Sequence, residues 1–496
     1  MTNRPEIHVS IEIAPYEAAV YALRVLLADL DARVVFHRSA ADLPDGALRI
    51  RYGVGPLRPG RGPELLLHAC SRFWENYGRE SSLPALPLTR VPLGDLGFPP
   101  TDRVGSPMPL PYVSEQAPPS AQFLRSESGA GRASLSTGAD LVASAFFWIT
   151  RYQESLIRER DEEGRIPQTQ LLELREDLTE RALVDEYAAV LGAWIGKLDS
   201  SAVARSRDFR IFLTHDVDTG IGVRGLWKNA ENAARTMYRE VVRSRRPATG
   251  LHGAAEWTLR GIGVREEPAV FRDIAAVDRG LGFPSFFFLM ANGSHPKDAT
   301  YDILGPDARR VIGAIRECGG AIGLHIGLNA HRSLDQFRSE WDRLREAAGS
   351  DVWPACRSHF LSFFPPTTWR QLVELGFRVD STLGYSDHVG FRGGTCRGFR
   401  PFDVERLEVL PMWELPMTVM DVNLFREIRA DGERVAQIRG VARRVRAHGG
   451  CLVVNWHNVS FHGHYRRVYR EALRDLSEAR AVRLDDVPVG EDAVVW

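Results

Sequence analysis

From residue 209 onward, helix-like segments alternate with short apolar runs, and this alternation constrains the fold more than any other feature of the sequence. After the first run, 209–218 (FRIFLTHDVD), the apolar runs lie at 285–290, 321–325, 356–359, 377–380 and 451–457. Strands that alternate with helices of this length form parallel βα units. About seven such units, without a dinucleotide-binding glycine fingerprint after the first, favour a distorted (β/α) barrel over a Rossmann sheet.

The chain has 496 residues, which is more than one ordinary core needs, so we expect two domains. Strand-like and helix-like patterns alternate up to residue 80, and a stretch rich in Pro, Gly and Ser follows. Residues 1–135 are therefore predicted to form a small α/β N-terminal domain that ends in a Pro/Gly-rich connection. Residues 136–205 are predicted to form a helical lead-in to the barrel, which occupies 206–496.

Charge and composition argue against several classes of binding partner and several cellular locations. The net charge of −1 gives no reason to expect nucleic acid or an anionic membrane as a partner. The start of the chain lacks a secretion-signal pattern, and the longest apolar run, 141–149, is far too short for a transmembrane segment. The five cysteines are scattered without a CxxC motif, which favours reduced thiols and a cytoplasmic protein.

Polar side chains stand at the ends of most of the predicted barrel strands. The first strand delivers Asp216 and Asp218, a pair that could also be turn chemistry at a strand end. The later strands deliver His325, Arg357, His359, Asp380 and His457. Because the carboxyl ends of parallel barrel strands meet at one face, we expect these groups to converge. Two carboxylates with imidazoles make a site suited to zinc or a similar divalent ion.

The order of these motifs resembles that of the polysaccharide deacetylases of NodB-homology type, carbohydrate esterase family 4, over about residues 205–490. The matching motifs are THDVD (214–218), GLHIG (323–327), RSHF (357–360), VDSTLGY (379–385) and NWHN (455–458). The phrases GFRGGTC (390–396) and LPMTVMD (415–421) resemble a bacterial subgroup with an extra N-terminal domain. The resemblance implies a NodB-type barrel that carries a divalent metal ion, zinc by expectation.

The resemblance also implies a role for each matching residue. Asp216 corresponds to the catalytic base, and Arg357 to the arginine that orients this base. Asp218 and His325 correspond to metal ligands, and His457 corresponds to the general acid. Asp380 lies in the fourth motif and joins the predicted catalytic residues.

One position departs from the family pattern. The second motif of the family is usually H-x-x-x-H, yet Asn329 stands four residues after His325. The next histidine, His331, is expected to supply the third metal ligand, with His359 as the alternative from the neighbouring strand. His359 could equally contact substrate or serve packing, and His331 could lie on the solvated surface.

The sequence thus predicts a metal-dependent hydrolase that removes an N-acetyl or related acyl group from an amino sugar, a carbon–nitrogen but not peptide bond. A cytoplasmic address counts against mature cell-wall polymer and favours a saccharide intermediate as substrate. Two alternatives stay open. The chain could be a non-catalytic carbohydrate-binding or scaffold member that has lost the full metal site, which Asn329 favours. It could also hydrolyse another non-peptide amide.

Overall fold

The computed structural model describes residues 4–57, 62–99, 101–124, 134–219, 221–222, 226–243, 267–299, 301–349, 352–483, 486–488 and 493–496, with a few residues between 247 and 258. Its two largest sheets follow one another along the chain, the first before residue 140 and the second after residue 209.

The described part of the N-terminal half contains a mixed sheet covered by helices. The strands are β1 (Glu6–Ile11), β2 (Arg33–His37), β3 (Leu48–Gly53), β4 (Glu64–His68), β5 (Thr89–Val91), β6 (Met108–Leu110), β7 (Gln122–Leu124) and β8 (Ser134–Thr137). The helices are α1 (Tyr16–Leu26), α2 (Ser71–Glu75), α3 (Leu141–Ile149), α4 (Tyr152–Leu156), α5 (Leu172–Arg175) and α6 (Leu183–Leu198). The main sheet has the order β2-β1-β3-β4-β8-β7 and is parallel except for β7, while β5 and β6 form a separate antiparallel pair.

The described part of the C-terminal half contains a parallel sheet with intervening helices. The strands are β9 (Arg210–Val217), β10 (Ser285–Met290), β11 (Ala321–Ile326), β12 (Ala355–Ser358), β13 (Val379–Asp380), β14 (Phe402–Asp403), β15 (Glu408–Val409), β16 (Trp413–Glu414), β17 (Val419–Met420), β18 (Cys451–Asn455) and β19 (Arg480–Ala481). The helices are α7 (Leu226–Met237), α8 (Glu267–Leu281), α9 (Pro306–Glu317), α10 (Leu334–Ala348), α11 (Thr367–Glu374), α12 (Asp421–Glu427), α13 (Asp431–His448) and α14 (Gly463–Leu473).

The second sheet has the order β16-β13-β12-β11-β10-β9-β18-β17, and the short β19 also pairs with β9. Its outer strands, β16 and β17, are separated in the chain only by residues 415–418. Five peptide steps span at most about 18 Å, whereas the outer strands of a flat eight-stranded sheet would lie about 34 Å apart. The sheet is therefore curled, and segment 413–420 pairs with β13 at its start and with β18 at its end.

The alternation of side chains along β9 explains where the polar groups point. Phe212 packs with Phe286 and Phe288 in a cluster that fills the inside of the curled sheet. Successive residues of a strand point to opposite faces, so Asp216 lies on the same face as Phe212. His215 lies on the other face, toward α8 and α14, where its Nε2 contacts the Asp278 carboxylate at 3.0 Å. The strand thus delivers its carboxylate to the open end of the interior.

The predicted elements of the barrel agree closely with the observed ones, and three differences stand out. Within the predicted helical lead-in, the helical stretch that follows Asp140 is broken at Arg151, which adopts a left-handed φ of 54°. Strand β8 crosses the predicted domain boundary at residue 135, and α6 packs on the same sheet, so the predicted division stays a prediction. The short strands between 402 and 420 were not predicted. All five cysteines are free, and no helix in the described ranges has the length and apolarity to cross a membrane.

Candidate active site

A cavity of about 510 Å³ opens at the carboxyl ends of the barrel strands. Its lining includes Asp216, Asp218, His325, His359 and His457. These residues follow or end strands β9, β11, β12 and β18, so the parallel register brings them to one end of the sheet. The convergence that the sequence predicted is present for all five of these side chains.

Asp218, His325 and His359 form the one group of potential metal ligands detected within the described ranges, with ligand atoms within 4.8 Å of one another. The Nε2 atom of His325 lies 3.0 Å from Asp218 Oδ1, and that of His359 lies 4.0 Å from the same oxygen. Ligand atoms bound tetrahedrally to zinc at about 2.1 Å are roughly 3.4 Å apart. The spacing of these three donors therefore fits a divalent ion such as zinc.

The other ring nitrogen of each histidine is held by the protein. His325 Nδ1 donates to the carbonyl of Arg357 at 2.9 Å. His359 Nδ1 contacts the Asp298 carboxylate at 3.0 Å, and this carboxylate also accepts the backbone N–H of Leu328. Partners of this kind fix the tautomer and turn the free Nε2 lone pair toward a metal.

Electrostatics also favour a cation between these groups. Burial raises the pKa of Asp218, but the nearby His457 and His325 outweigh burial and hold it well below its usual range. Burial lowers the pKa of His325, but the carboxylates of Asp216 and Asp218 outweigh it and raise the pKa above its usual value. The imidazole thus lies in the negative potential of two carboxylates, which is the environment that a divalent ion prefers.

Asp216 lies next to this cluster and is held at both oxygens. Arg357 donates to Oδ1 at 3.0 Å, and the Asn455 side-chain amide donates to Oδ2 at 2.7 Å. Burial raises the pKa of Asp216, but the Arg357 guanidinium outweighs it, so the pKa lies below its usual value. Asp216 is therefore ionised at neutral pH and fixed in orientation.

Arg357 is itself buried and fully engaged behind Asp216. Its Nε and a second guanidinium nitrogen donate to the backbone carbonyl and the hydroxyl of Ser381, at 2.8 and 2.9 Å. The remaining nitrogen also donates to Thr214 at 2.8 Å, and the ring of Phe288 packs under the guanidinium. A buried charge needs partners of this kind, and they leave Arg357 one direction, toward the carboxylate.

His457 also lies beside the ligand cluster. Its Nε2 lies 3.5 Å from Asp218 Oδ2, and its Nδ1 lies 2.6 Å from the buried carboxylate of Asp421. Burial lowers the pKa of His457, but the Asp421 and Asp218 carboxylates outweigh it and raise the pKa to about 10. In this environment the imidazole carries a proton at neutral pH, with its Nε2 toward the cavity.

Three residues that the sequence singled out, His331, Asn329 and Asp380, do not line the cavity. His331 contacts the Ser362 hydroxyl at 3.1 Å and stacks on Phe364, and it is absent from the ligand cluster. Asn329 precedes the short 3₁₀ helix 330–332 and does not line the cavity. Asp380 is fully buried and accepts from the Thr382 hydroxyl, and burial together with the Asp380 carboxylate raises the pKa of Glu414 well above its usual value. Asp380 does not line the cavity.

Sequence reasoning did not single out three groups that orient the site, namely Asp298, Asp421 and Asn455. Asp298 and Asp421 lie outside the strands, and each meets its histidine across a long stretch of chain. Asn455 could have been found, because it ends strand β18 two residues before His457. The phrase LPMTVMD, which the resemblance picked out, ends at Asp421 without indicating its partner.

Comparisons with known proteins give a family of unknown function, DUF7033, which matches residues 74–200. No curated protein matches the chain. Among solved structures, the carbohydrate deacetylase Agd3 aligns over 98% of this chain and 86% of its own, at 7% identity and a TM-score of 0.38.

Two further structures align with a little more than half of this chain. A protein from Mycobacterium smegmatis assigned to the polysaccharide deacetylases aligns over 57% of this chain and 87% of its own, at 17% identity and a TM-score of 0.35. The catalytic domain of a peptidoglycan N-acetylglucosamine deacetylase from Eubacterium rectale aligns over 58% and 92%, at 12% identity and a TM-score of 0.29. These TM-scores are low, so only the chemistry of the site itself can indicate a function.

Proposed function

We propose that the chain is a metal-dependent hydrolase that removes an N-acetyl or related acyl group from an amino sugar. The proposal depends on one observation: the cluster of Asp218, His325 and His359 shares its cavity with two further ionisable side chains, one deprotonated and one protonated at neutral pH. One of these groups is an ionised carboxylate, Asp216, and the other is a protonated imidazole, His457. Hydrolysis of an amide needs such a base and such an acid on either side of the reacting carbon.

The third protein ligand in this proposal is His359. Its Nδ1 is already held by Asp298, so its Nε2 is the atom available to a metal. In contrast, His331 is engaged with Ser362 and Phe364 outside the cluster. The chain would thus compensate for Asn329 with a histidine from the neighbouring strand, and the incomplete H-x-x-x-H pattern would not imply a lost site.

Each side chain then has a defined task. The bound ion, zinc by its donor set, would polarise the acyl oxygen and lower the pKa of water. Asp216 accepts the proton of the attacking water, and Arg357 and Asn455 keep its oxygens in one orientation. His457 donates its proton to the departing amine through Nε2, while Asp421 stabilises the charged imidazole. Asp380 and Glu414 hold the strands beneath Arg357 and do not reach the substrate.

The test is elemental analysis of the purified chain together with activity on N-acetylated amino sugars. We expect close to one divalent ion per chain after reconstitution with zinc, and its loss in Asp218→Ala with the circular dichroism spectrum unchanged. Asp335→Ala is the matched control, because this aspartate is 94% exposed on helix α10. A wild-type chain that never holds metal would contradict the enzyme and favour a carbohydrate-binding protein. Turnover of small amides without turnover of amino sugars would favour the other non-peptide amide.

A further inference from the structure

A short segment of the N-terminal half, Asp161–Gln168, lies along the mouth of the barrel, and we refer to it as the fence. Four of its side chains line the active-site cavity: Asp161, Glu163, Arg165 and Gln168. The fence therefore belongs to the surroundings of the metal cluster, although it comes from a region that the barrel motifs do not include.

The fence contacts the loops that follow strands β10, β12 and β13. Glu163 pairs with Lys297, after β10, at 2.6 Å. Arg165 donates to the carbonyl of Phe360, after β12, at 3.3 Å. Gln168 donates to the hydroxyl of Ser386, after β13, at 2.9 Å.

The loop after β11 supplies the platform beneath the fence. Gly164 has a φ of 80°, and a Cβ atom there would lie 3.3 Å from the ring of His331 and 3.1 Å from the Ser362 hydroxyl. Burial lowers the pKa of His331 to about 4, so its ring is neutral and packs as an apolar surface. With this contact the fence touches the loops of four neighbouring strands, β10 to β13, which is one continuous half of the barrel rim.

The fence has a rigid shape of its own. The carboxylate of Asp161 accepts the backbone N–H of Glu163 and of Arg165, at 3.0 and 2.8 Å, and pairs with the Arg165 guanidinium at 2.9 Å. Phe360, to which Arg165 donates, has a left-handed φ of 54°, a conformation that persists only where surrounding contacts enforce it.

A buried ion-pair network fastens the chain just before the fence to the barrel. Arg392 of the barrel donates to both oxygens of Glu154, at 3.0 and 2.8 Å, and Arg151 donates to the same carboxylate at 2.7 Å. All three side chains are almost fully buried. Breaking one member of such a network leaves an uncompensated buried charge, so the chain at residues 151–154 is fixed. The position of the fence itself, further along the chain, depends on its contacts with Lys297, Phe360 and Ser386.

We propose that the fence closes one side of the cleft, so that the site accepts a short saccharide or the end of a saccharide chain and not the middle of a polymer. This inference rests on the proposed deacetylase function. A chain lying across the barrel mouth would have to pass through the fence between its contacts with Lys297 and Ser386. A terminal unit can instead enter from the open side, near Val422 and Arg426, and place its acyl group beside Asp218.

The experiment uses the zinc-loaded full-length chain and a hexasaccharide of N-acetylglucosamine, with mass spectrometry to locate the deacetylated unit. We expect a terminal unit to react at least about tenfold faster than internal units, the discrimination that one steric clash supplies. In Lys297→Ala and in Lys297→Ala/Gln168→Ala, which untie the fence at one and at two points, this ratio should fall toward one. Lys297→Ala changes a partly exposed ion pair and is the safer variant for folding.

Arg158→Ala is the matched control, because Arg158 is exposed, lies just before the fence and does not line the cavity. Its ratio should equal that of the wild type. Equal reaction of internal and terminal units by the wild type would overturn the inference, as would a ratio that neither fence variant changes.

A wild-type chain without turnover would contradict the proposed function and leave the fence testable by saturation-transfer NMR with the same hexasaccharide. Saturation confined to a terminal unit would support the fence, and saturation spread evenly over the chain would overturn it.

Discussion

Asp140 follows strand β8 of the first sheet, and Asp218 follows strand β9 of the second, so both stand at the carboxyl end of a parallel strand. Asp140 is fully buried, and its oxygens accept from the Tyr52 hydroxyl and from the backbone N–H groups of Cys70 and Ala143. The side chain of Asp218 is 27% exposed to the cavity, and its neighbours are imidazoles that lean toward it.

The two carboxylates differ in what their partners leave unused. The donors around Asp140 have no capacity left for another ligand. The Tyr52 hydroxyl donates to Asp140 and accepts from Trp74, and the N–H groups of Cys70 and Ala143 lie at the starts of helices α2 and α3. His325 and His359, beside Asp218, are held through their Nδ1 atoms, which leaves their Nε2 atoms directed at the site. A carboxylate at a strand end can therefore form part of a metal site only when the imidazoles beside it are held by the protein through their other ring nitrogens.

The strongest test of this comparison removes His359 in one variant and His331 in another. His359→Ala should abolish stoichiometric zinc binding and reduce activity to background, because it removes one of three donors. His331→Ala should keep zinc near one per chain, because its ring stacks on Phe364 instead. Elemental analysis of both variants gives the answer.

Asn329→His serves as a further control for this pair. In a His359→Ala background it should restore little zinc, because Asn329 does not line the cavity that contains the ligand cluster. Loss of zinc in His331→Ala, or recovery through Asn329→His, would show that the third ligand comes from the loop after β11.

The next largest effect concerns the two groups that flank the cluster. Asp216→Asn should lower turnover by about 10²–10⁴-fold, the usual contribution of a positioned proton acceptor, while zinc stays bound. His457→Ala should harm amides more than activated aryl esters, because a phenolate departs without a proton and an amine does not. Steady-state kinetics on both substrates, with zinc content as the control, test this division. Equal loss of both activities in His457→Ala would remove the acid from the scheme.

The regular part of the barrel was predictable from the sequence, because apolar runs and amphipathic helices repeat there. Strand Ser285–Met290 has the predicted bounds. Strands β16 and β17 have two residues each, and Pro411 and Pro416 interrupt the pattern around them. Each of these strands pairs with one neighbour of the curled sheet, β16 with β13 and β17 with β18, and a local sequence pattern cannot indicate such tertiary pairing.

The candidate site divides in the same way. Asp216, Asp218, His325 and His457 were predictable because each ends or follows an apolar strand. The roles of Asp298 and Asp421 depend on contacts over 61 and 36 residues of chain, so no spacing rule reveals them. The preference for His359 over His331 has the same origin, since the sequence places both near strand ends and only tertiary packing separates them.

A smaller effect tests whether the Asp421 carboxylate holds His457 through its Nδ1 atom, as the comparison requires. The Asp421 carboxylate opposes the effect of burial and raises the pKa of His457 to about 10, so the imidazole is protonated below that pH. Asp421→Asn keeps the volume and removes the charge, which should lower this pKa by about 1–3 units. The alkaline limb of the kcat/KM profile should then move to lower pH, while the acidic limb stays. Identical profiles for the two proteins would contradict the assignment.

The smallest effect on catalysis is expected in the first sheet. Asp140→Ala should lower the free energy of unfolding by about 1–3 kcal/mol, because it removes a helix N-cap and leaves buried donors unpaired. Burial raises the pKa of Asp140 from 3.8 to about 6, so the folded chain binds the extra proton between these values. The stability that Asp140 contributes is therefore greatest at low pH and declines as the pH rises from about 4 to about 6.

Denaturant unfolding at pH 5 and pH 7 measures this contribution, with the exposed Asp42→Ala as control. The difference between wild type and Asp140→Ala should be larger at pH 5, while zinc content and kcat per folded molecule stay at wild-type values. A fall in kcat at full zinc occupancy would show that the first sheet takes part in the reaction. The contrast between a carboxylate that only holds the fold and one that faces a reacting group would then fail.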